Sequence, residues 1–432
     1  MMSRNFIDMK NKGLSILPIL CSVLVLSGCA NFGKGVAEAV LEKTEEEDVR
    51  VCEIWGERFT GISQRLQKQK GKTKVLMTHG VGVHKPGYAT EFMEKLAAEL
   101  DLLVRSRNSK NITLTDPENP GKNLGNLRVT RYLNADRSQE MLFYELTWSN
   151  ITAPQKALLA FDNSGEYSFR RTQINNMLKE FANDTGPDPI IYLGESRSEI
   201  LTAFAQSFCW MAQGNWEDLP ASFGQPVCSM LNGKAVNYVP VDNYILVSHS
   251  LGSRITIDGM QFIAERMQRF KPESHQKAEA DVLIKALQKK RIPIFMLSNQ
   301  LPMLQLGREL PEISSQKANY CKPDAPYYNE RMVSQTSIIA FSDPNDLLSY
   351  AIPPGFSDAY IDSRLCARVT NININIAHIV DIFGLGKLAN PLEAHIGYDT
   401  DDRVVALIAR GIGQPETADI VKQRCQWTEL ID

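Results

Sequence analysis

The sequence predicts an α/β fold, with a mainly parallel central sheet and helices packed on both faces. Residues 74–78, 244–247 and 292–297 are short, nearly continuous apolar runs, as expected of strands buried on both sides. Amphipathic helical patterns alternate with them, as at 89–103, where Phe92, Leu96, Leu100 and Leu103 recur on one face. The third observation is a strand that turns sharply into a helix at 244–259. Its turn, Ser248-His249-Ser250-Leu251-Gly252, lifts one side chain, Ser250, above the sheet. Such a turn tolerates only small residues two positions before and after the lifted one. Ser248 and Gly252 satisfy that condition, whereas centring the turn on Ser248 or Ser253 puts Leu246 or Ile255 in a crowded slot.

In chain order, the first of these strands runs into His79-Gly80-Val81-Gly82-Val83-His84, where the glycines free backbone N–H groups to point above the sheet. Residues 105–127, rich in Asn, Lys, Gly and Pro, read as a long loop, and 128–133 and 141–147 as two strands. From 149 to 239 the strand pattern fades and helical stretches recur at 157–161, 171–181 and 196–213. The last carries an apolar stripe of Ile200, Leu201, Phe204, Phe208 and Met211. About ninety residues is more than a crossover helix needs. The segment is therefore an expected helical insertion, either extra structure packed beside the sheet or a lid or acyl-chain wall over the serine.

Beyond the turn, helices are expected at 252–270 and 273–291, a strand at 292–297 and a Pro-containing loop at 306–331. A strand from 337 ends in a polar loop holding Asp343 and Asp346. Residues 368–377 alternate Asn with Ile and so read as a last strand near a sheet edge. A loop at 390–398 carries His395, and a helix at 402–411 closes the chain's fold.

Composition bounds the rest. A chain of 432 residues with 43% hydrophobic and 22% charged residues can bury a large core. A net charge of -3 lacks the basic excess of a nucleic-acid surface.

At the N-terminus, Arg4, Lys10 and Lys12 precede an apolar run at 14–26 that is too short to span a bilayer and ends in Leu26-Ser27-Gly28-Cys29. This resembles the bacterial lipoprotein signal, which implies removal of residues 1–28 and lipidation of Cys29. Ala30 in place of Asp favours, by the same resemblance, the outer membrane of the cell envelope. Residues 29–70 are assigned to a tether; its acidic run, Glu42 to Asp48, suits a solvated linker or a charged surface helix. The α/β domain, with its insertion at about 149–239, is assigned to 71–432.

Six cysteines remain after Cys29 in the mature chain, and an exported protein permits their pairing. Cys209 with Cys228, which flank one loop, is the preferred pair. No cysteine spacing resembles a zinc site.

A serine hydroxyl needs a base held by a third group. Of six histidines, His79 and His84 lie in the Gly-rich loop, His249 is fixed within the turn, and His275 lies in a charged helical stretch. His378 ends the last strand directly, whereas His395 sits on the loop before the closing helix, from which a base can reach across the sheet top. His395 is preferred. For the acid, Asp346 is preferred to Asp343, because Leu347 and Leu348 can bury it while Asp343 precedes Pro344 and shapes the turn.

Ser250, Asp346 and His395 follow strands in the chain order of α/β-hydrolases, and the His79-Gly80 loop and Ala394-His395-Ile396-Gly397-Tyr398 resemble lipase and esterase members of that superfamily. Ser248 replaces the commoner Gly. The resemblance covers about 73–411 without the insertion. It implies an oxyanion hole formed by the Val81 and Leu251 N–H groups, ester hydrolysis, and no metal or organic cofactor; the lipid anchor and the apolar insertion point to acyl or lipid esters as substrates. A binding module on the same fold, or acyl transfer to a non-water acceptor, are the alternatives.

Overall fold

A computed structural model describes residues 50, 52–67, 71–104, 109–220, 227–231, 233–381, 387–413 and 415–428. Cys29 and the signal-like segment lie outside them. The chain is α/β, built on one eleven-stranded mixed sheet that is mainly parallel at its centre. In chain order the strands are β1 (Cys52–Gly56), β2 (Thr73–Thr78), β3 (Leu103–Val104), β4 (Lys110–Thr115), β5 (Asn123–Leu133), β6 (Glu140–Thr147), β7 (Asn243–His249), β8 (Arg291–Leu297), β9 (Gln335–Ser342), β10 (Ala367–Ile374) and β11 (Cys425–Trp427). Their spatial order is β11-β1-β10-β9-β8-β7-β2-β6-β5-β3, with β4 added to β5. From β10 to β6 the six central strands are parallel.

Alternate residues of each central strand enter two separate cores, which is why these strands read as continuous apolar runs. On one face Leu76, Leu246 and Ile294 pack beneath helices α5 (Arg197–Gln213), α6 (Leu251–Arg269) and α7 (Lys277–Leu287). On the other, Val75, Ile245 and Phe295 pack beneath α1 (Thr90–Glu99) and α9 (Asp402–Arg410). Gly259 lets α5 and α6 touch, since a Cβ there would lie 2.2 Å from the Phe204 ring.

Four expectations need correction. Residues 110–115 are strand, not loop: Ile112 and Leu114 are buried while the polar residues between them face outward, a period-2 pattern masked by the surrounding Gly and Pro. The tether cannot run to residue 70, because β1 pairs with β10 and a one-turn helix at Ser63–Leu66 buries Leu66. β10 consequently is not near the edge; β1 and β11 cover it, and Asn371 holds the backbone of Ile352 from its buried position. Finally, residues 391–396 form a short helix, α8 (Pro391–Ile396), capped by the Asn390 side chain.

The insertion begins at Ser149 and divides in two. Its long helix α5 is extra structure packed on α6 and the sheet. Three shorter helices, α2 (Ala153–Ala160), α3 (Gln173–Thr185) and α4 (Pro187–Leu193), pack together over the loop that follows β2. Cys209 and Cys228 form a disulfide, as preferred, and two others join Cys52 to Cys425 and Cys321 to Cys366.

Candidate active site

β7 ends at His249, and α6 begins at Leu251, so Ser250 alone makes the turn. Its φ of +55° is a conformation that side-chain-bearing residues rarely adopt. The neighbours show what the turn demands. A Cβ on Gly252 would lie 2.3 Å from the Thr78 carbonyl oxygen, and one on Gly80 would lie 2.7 Å from Ser250 Cβ. Small residues are therefore required on both the turn and the loop beside it.

The structure brings Ser250, His395 and Asp346 together. Ser250 Oγ lies 3.1 Å from His395 Nε2, and His395 Nδ1 lies 2.9 Å and 3.1 Å from the two Asp346 carboxylate oxygens. The ring is thus held with its proton on Nδ1 and its Nε2 lone pair toward the serine. Burial alone would raise the Asp346 carboxyl. The His395 hydrogen bond and charge, the Leu348 N–H and the Ser298 hydroxyl instead hold it below the ordinary carboxylate value. Asp343 takes no part: it accepts the Ile376, Ala377 and Asn345 N–H groups and shapes the turn. His378 is exposed beyond β10, and His275 is exposed beside Glu273.

Ser298 was not foreseen. It follows β8 directly, has a φ of +48°, donates to Asp346 Oδ2 at 2.7 Å and lies 2.9 Å from His395 Nδ1. It is buried, and it fixes the carboxylate and imidazole relative to each other. Ser298→Ala is expected to lower kcat about tenfold, the equivalent of ~1.4 kcal/mol for a hydrogen bond to a charged group, with KM unchanged. Steady-state kinetics on a soluble ester reads this directly.

His249 also has a role that the sequence conceals. Its Nε2–H donates to the His395 carbonyl oxygen at 2.8 Å and anchors α8. Burial first, and then the neighbouring His395, push its pKa down from the ordinary 6.5 to about 3. The unfolded chain takes up that proton below about pH 6.5, and the folded chain only near pH 3. Stability from this group is therefore present above pH 6.5 and lost as pH falls from 6.5 toward 3. Thermal melts across that range are expected to show a shallower pH dependence in His249→Gln.

The loop after β2 lies against the serine. His79 is a buried, neutral wedge between His84 and Trp148, stacked at 4.1 Å and 4.8 Å. Trp148 donates its backbone N–H to His79 Nε2 and its indole N–H to the His79 carbonyl. Burial, and then His84, hold the ring well below the usual imidazole pKa. The insertion fixes the far side: Gly82 N–H donates to Asp188 at 2.6 Å and Val83 N–H to Asp184 at 3.2 Å, with Lys156 bonded to both carboxylates. Among the described residues, the N–H groups of Val81 and Leu251 donate to no protein acceptor. Two free donors flanking a serine within reach of an imidazole can stabilise an oxyanion.

Comparison of the chain with protein-family models, curated proteins and solved structures finds no match in any of the three.

Proposed function

We propose that the protein is a serine ester hydrolase of the α/β-hydrolase fold, acting on acyl or lipid esters. The observation that carries this reading is the continuous contact from Ser250 Oγ through His395 to Asp346, at the C-terminal end of parallel strands. In the reaction, Ser250 Oγ attacks the ester carbonyl carbon while its proton passes to His395 Nε2. The negative charge that develops on the carbonyl oxygen is met by the Val81 and Leu251 N–H groups. Asp346 stabilises the imidazolium, which then protonates the departing alcohol oxygen. Water, deprotonated by the same His395, cleaves the acyl-enzyme and restores Ser250.

The mature protein, by this proposal, is held at the bacterial outer membrane by lipid on Cys29. A fluorophosphonate probe tests the catalytic part: it is expected to add one label, located on Ser250 by peptide mass spectrometry. A folded protein that takes no label refutes the reading.

A further inference from the structure

Buried charges ordinarily balance sign against sign. Around Asp258 they do not. Four elements meet there: α4 brings Tyr192, α5 brings Arg197, α6 brings Arg254 and Asp258 itself, and the loop after β8 brings Gln305 and Arg308. Arg254 takes one carboxylate oxygen, while Arg197, Arg308 and the Tyr192 hydroxyl converge on the other. Burial holds Tyr192 well above the ordinary phenol pKa, so it stays neutral. Three guanidiniums therefore face one carboxylate, an excess of two positive charges. The neighbouring acids do not offset it. Asp188, one turn earlier on α4, is bonded to Lys156 and the Gly82 N–H, Asp362 to Arg364, and Glu199 to Lys122. Glu195 and Glu309, close in sequence to Arg197 and Arg308, are exposed and form no ion pair with either guanidinium.

A second observation is independent of the charge count. Arg254 Nε, Gln305 Nε2, Arg308 Nη1 and Arg197 Nε are buried donors that find no acceptor in the protein. Arg254 and Gln305 are only 2% and 6% exposed. Buried donors are ordinarily satisfied, and four in one connected cluster mark a place built with too few acceptors. The cluster is not sealed. The Arg197 side chain is 41% exposed and that of Arg308 10%, so it reaches solvent where these two meet at Asp258 Oδ2.

We propose that this arginine cluster is a binding site for a doubly charged oxyanion of the phosphate type, free or carried on a larger molecule, seated between Arg197 and Arg308. Two negative charges match the excess, and a tetrahedral set of acceptor oxygens suits the paired donors of guanidinium forks. Arg197, long and partly exposed, is the side chain that shifts to admit the anion. Occupancy ties α4, α5, α6 and the loop after β8 around one ligand, so binding raises the melting temperature. The inference uses no catalytic group and stands whether or not Ser250 is a nucleophile.

The test titrates inorganic phosphate into the full chain in neutral detergent, by calorimetry at constant ionic strength with chloride as the background anion. One site per chain is expected, with sulfate equivalent to phosphate and acetate, a planar monoanion, clearly weaker. Arg308→Gln and Arg197→Gln each remove one cation and should weaken phosphate binding by about tenfold or more, the loss expected for a hydrogen bond to a charged group. Arg197 is exposed enough for its variant to fold, so it decides the matter if Arg308→Gln does not fold. Glycerol 3-phosphate identifies the source of the anion. Affinity above that of phosphate marks a group carried on a larger ligand, and equal or lower affinity marks the free ion. No heat beyond the chloride control, acetate binding as tightly as phosphate, or undiminished binding in Arg197→Gln overturns the proposal.

Discussion

Replacing Ser250 by Ala is expected to lower kcat on a soluble ester by about 10⁴–10⁶-fold while leaving the fold intact. The side chain is small, its oxygen contacts His395, and alanine meets the same steric penalty at φ +55°, so the melting temperature should barely move. His395→Ala should cost about as much, and the double variant no more than either, because each residue is useless without the other. No nearby serine can substitute. Ser298 touches His395 at Nδ1, the nitrogen already committed to Asp346, and the Ser253 hydroxyl donates to the Ser250 carbonyl oxygen. Additive losses, or a Ser250→Ala enzyme that keeps its rate, would place the chemistry elsewhere.

What could be read from the letters follows the range of the physics involved. The turn at Ser250 was legible because its sterics act within five residues, and the sequence must supply Ser248 and Gly252 there. Asp346 and His395 were legible as strand-end residues with few competitors. Ser298 was not, although it follows an apolar strand as directly as Ser250 does; serine is common, and the positive φ that aims it leaves no mark in composition. β1 was missed because its partner lies more than three hundred residues away, where no local pattern signals pairing. The disulfides divide the same way. Cys209–Cys228 spans 19 residues and could be guessed, whereas Cys52–Cys425 spans 373 and could not. The helix carrying His395 read as a loop because it is only six residues long, opening on Pro391 and closing before Gly397.

The largest stability loss is expected from Asp258, a buried carboxylate two turns along α6 from Ser250. It receives Arg254 from its own helix, Arg308 at 2.5 Å from the loop after β8, Arg197 at 3.3 Å from α5, and the Tyr192 hydroxyl at 2.7 Å from α4. Burial alone would raise this carboxyl, but Arg254 and the other guanidiniums outweigh it and draw the pKa down to about 2. Asp258→Ala removes the only carboxylate in this group and leaves Arg254 buried without its counter-charge, at a cost of about 3–5 kcal/mol. That is a large share of the ~5–15 kcal/mol typical of a folded domain, and it should appear as a lower urea midpoint with little change in m. Replacing the pair together, Arg254→Met with Asp258→Leu, should recover part of the loss, since neither charge is then stranded. The substitution should reach the chemistry as well. Tyr192 belongs to the same helix as Asp188, which accepts the Gly82 N–H one residue beyond Val81. Asp258→Asn keeps an acceptor for the Tyr192 hydroxyl and should retain most of kcat under conditions where it is folded. Asp258→Ala frees α4 and should lower kcat even below its unfolding transition. Equal kcat in the two variants would show that the insertion holds the loop without help from α6.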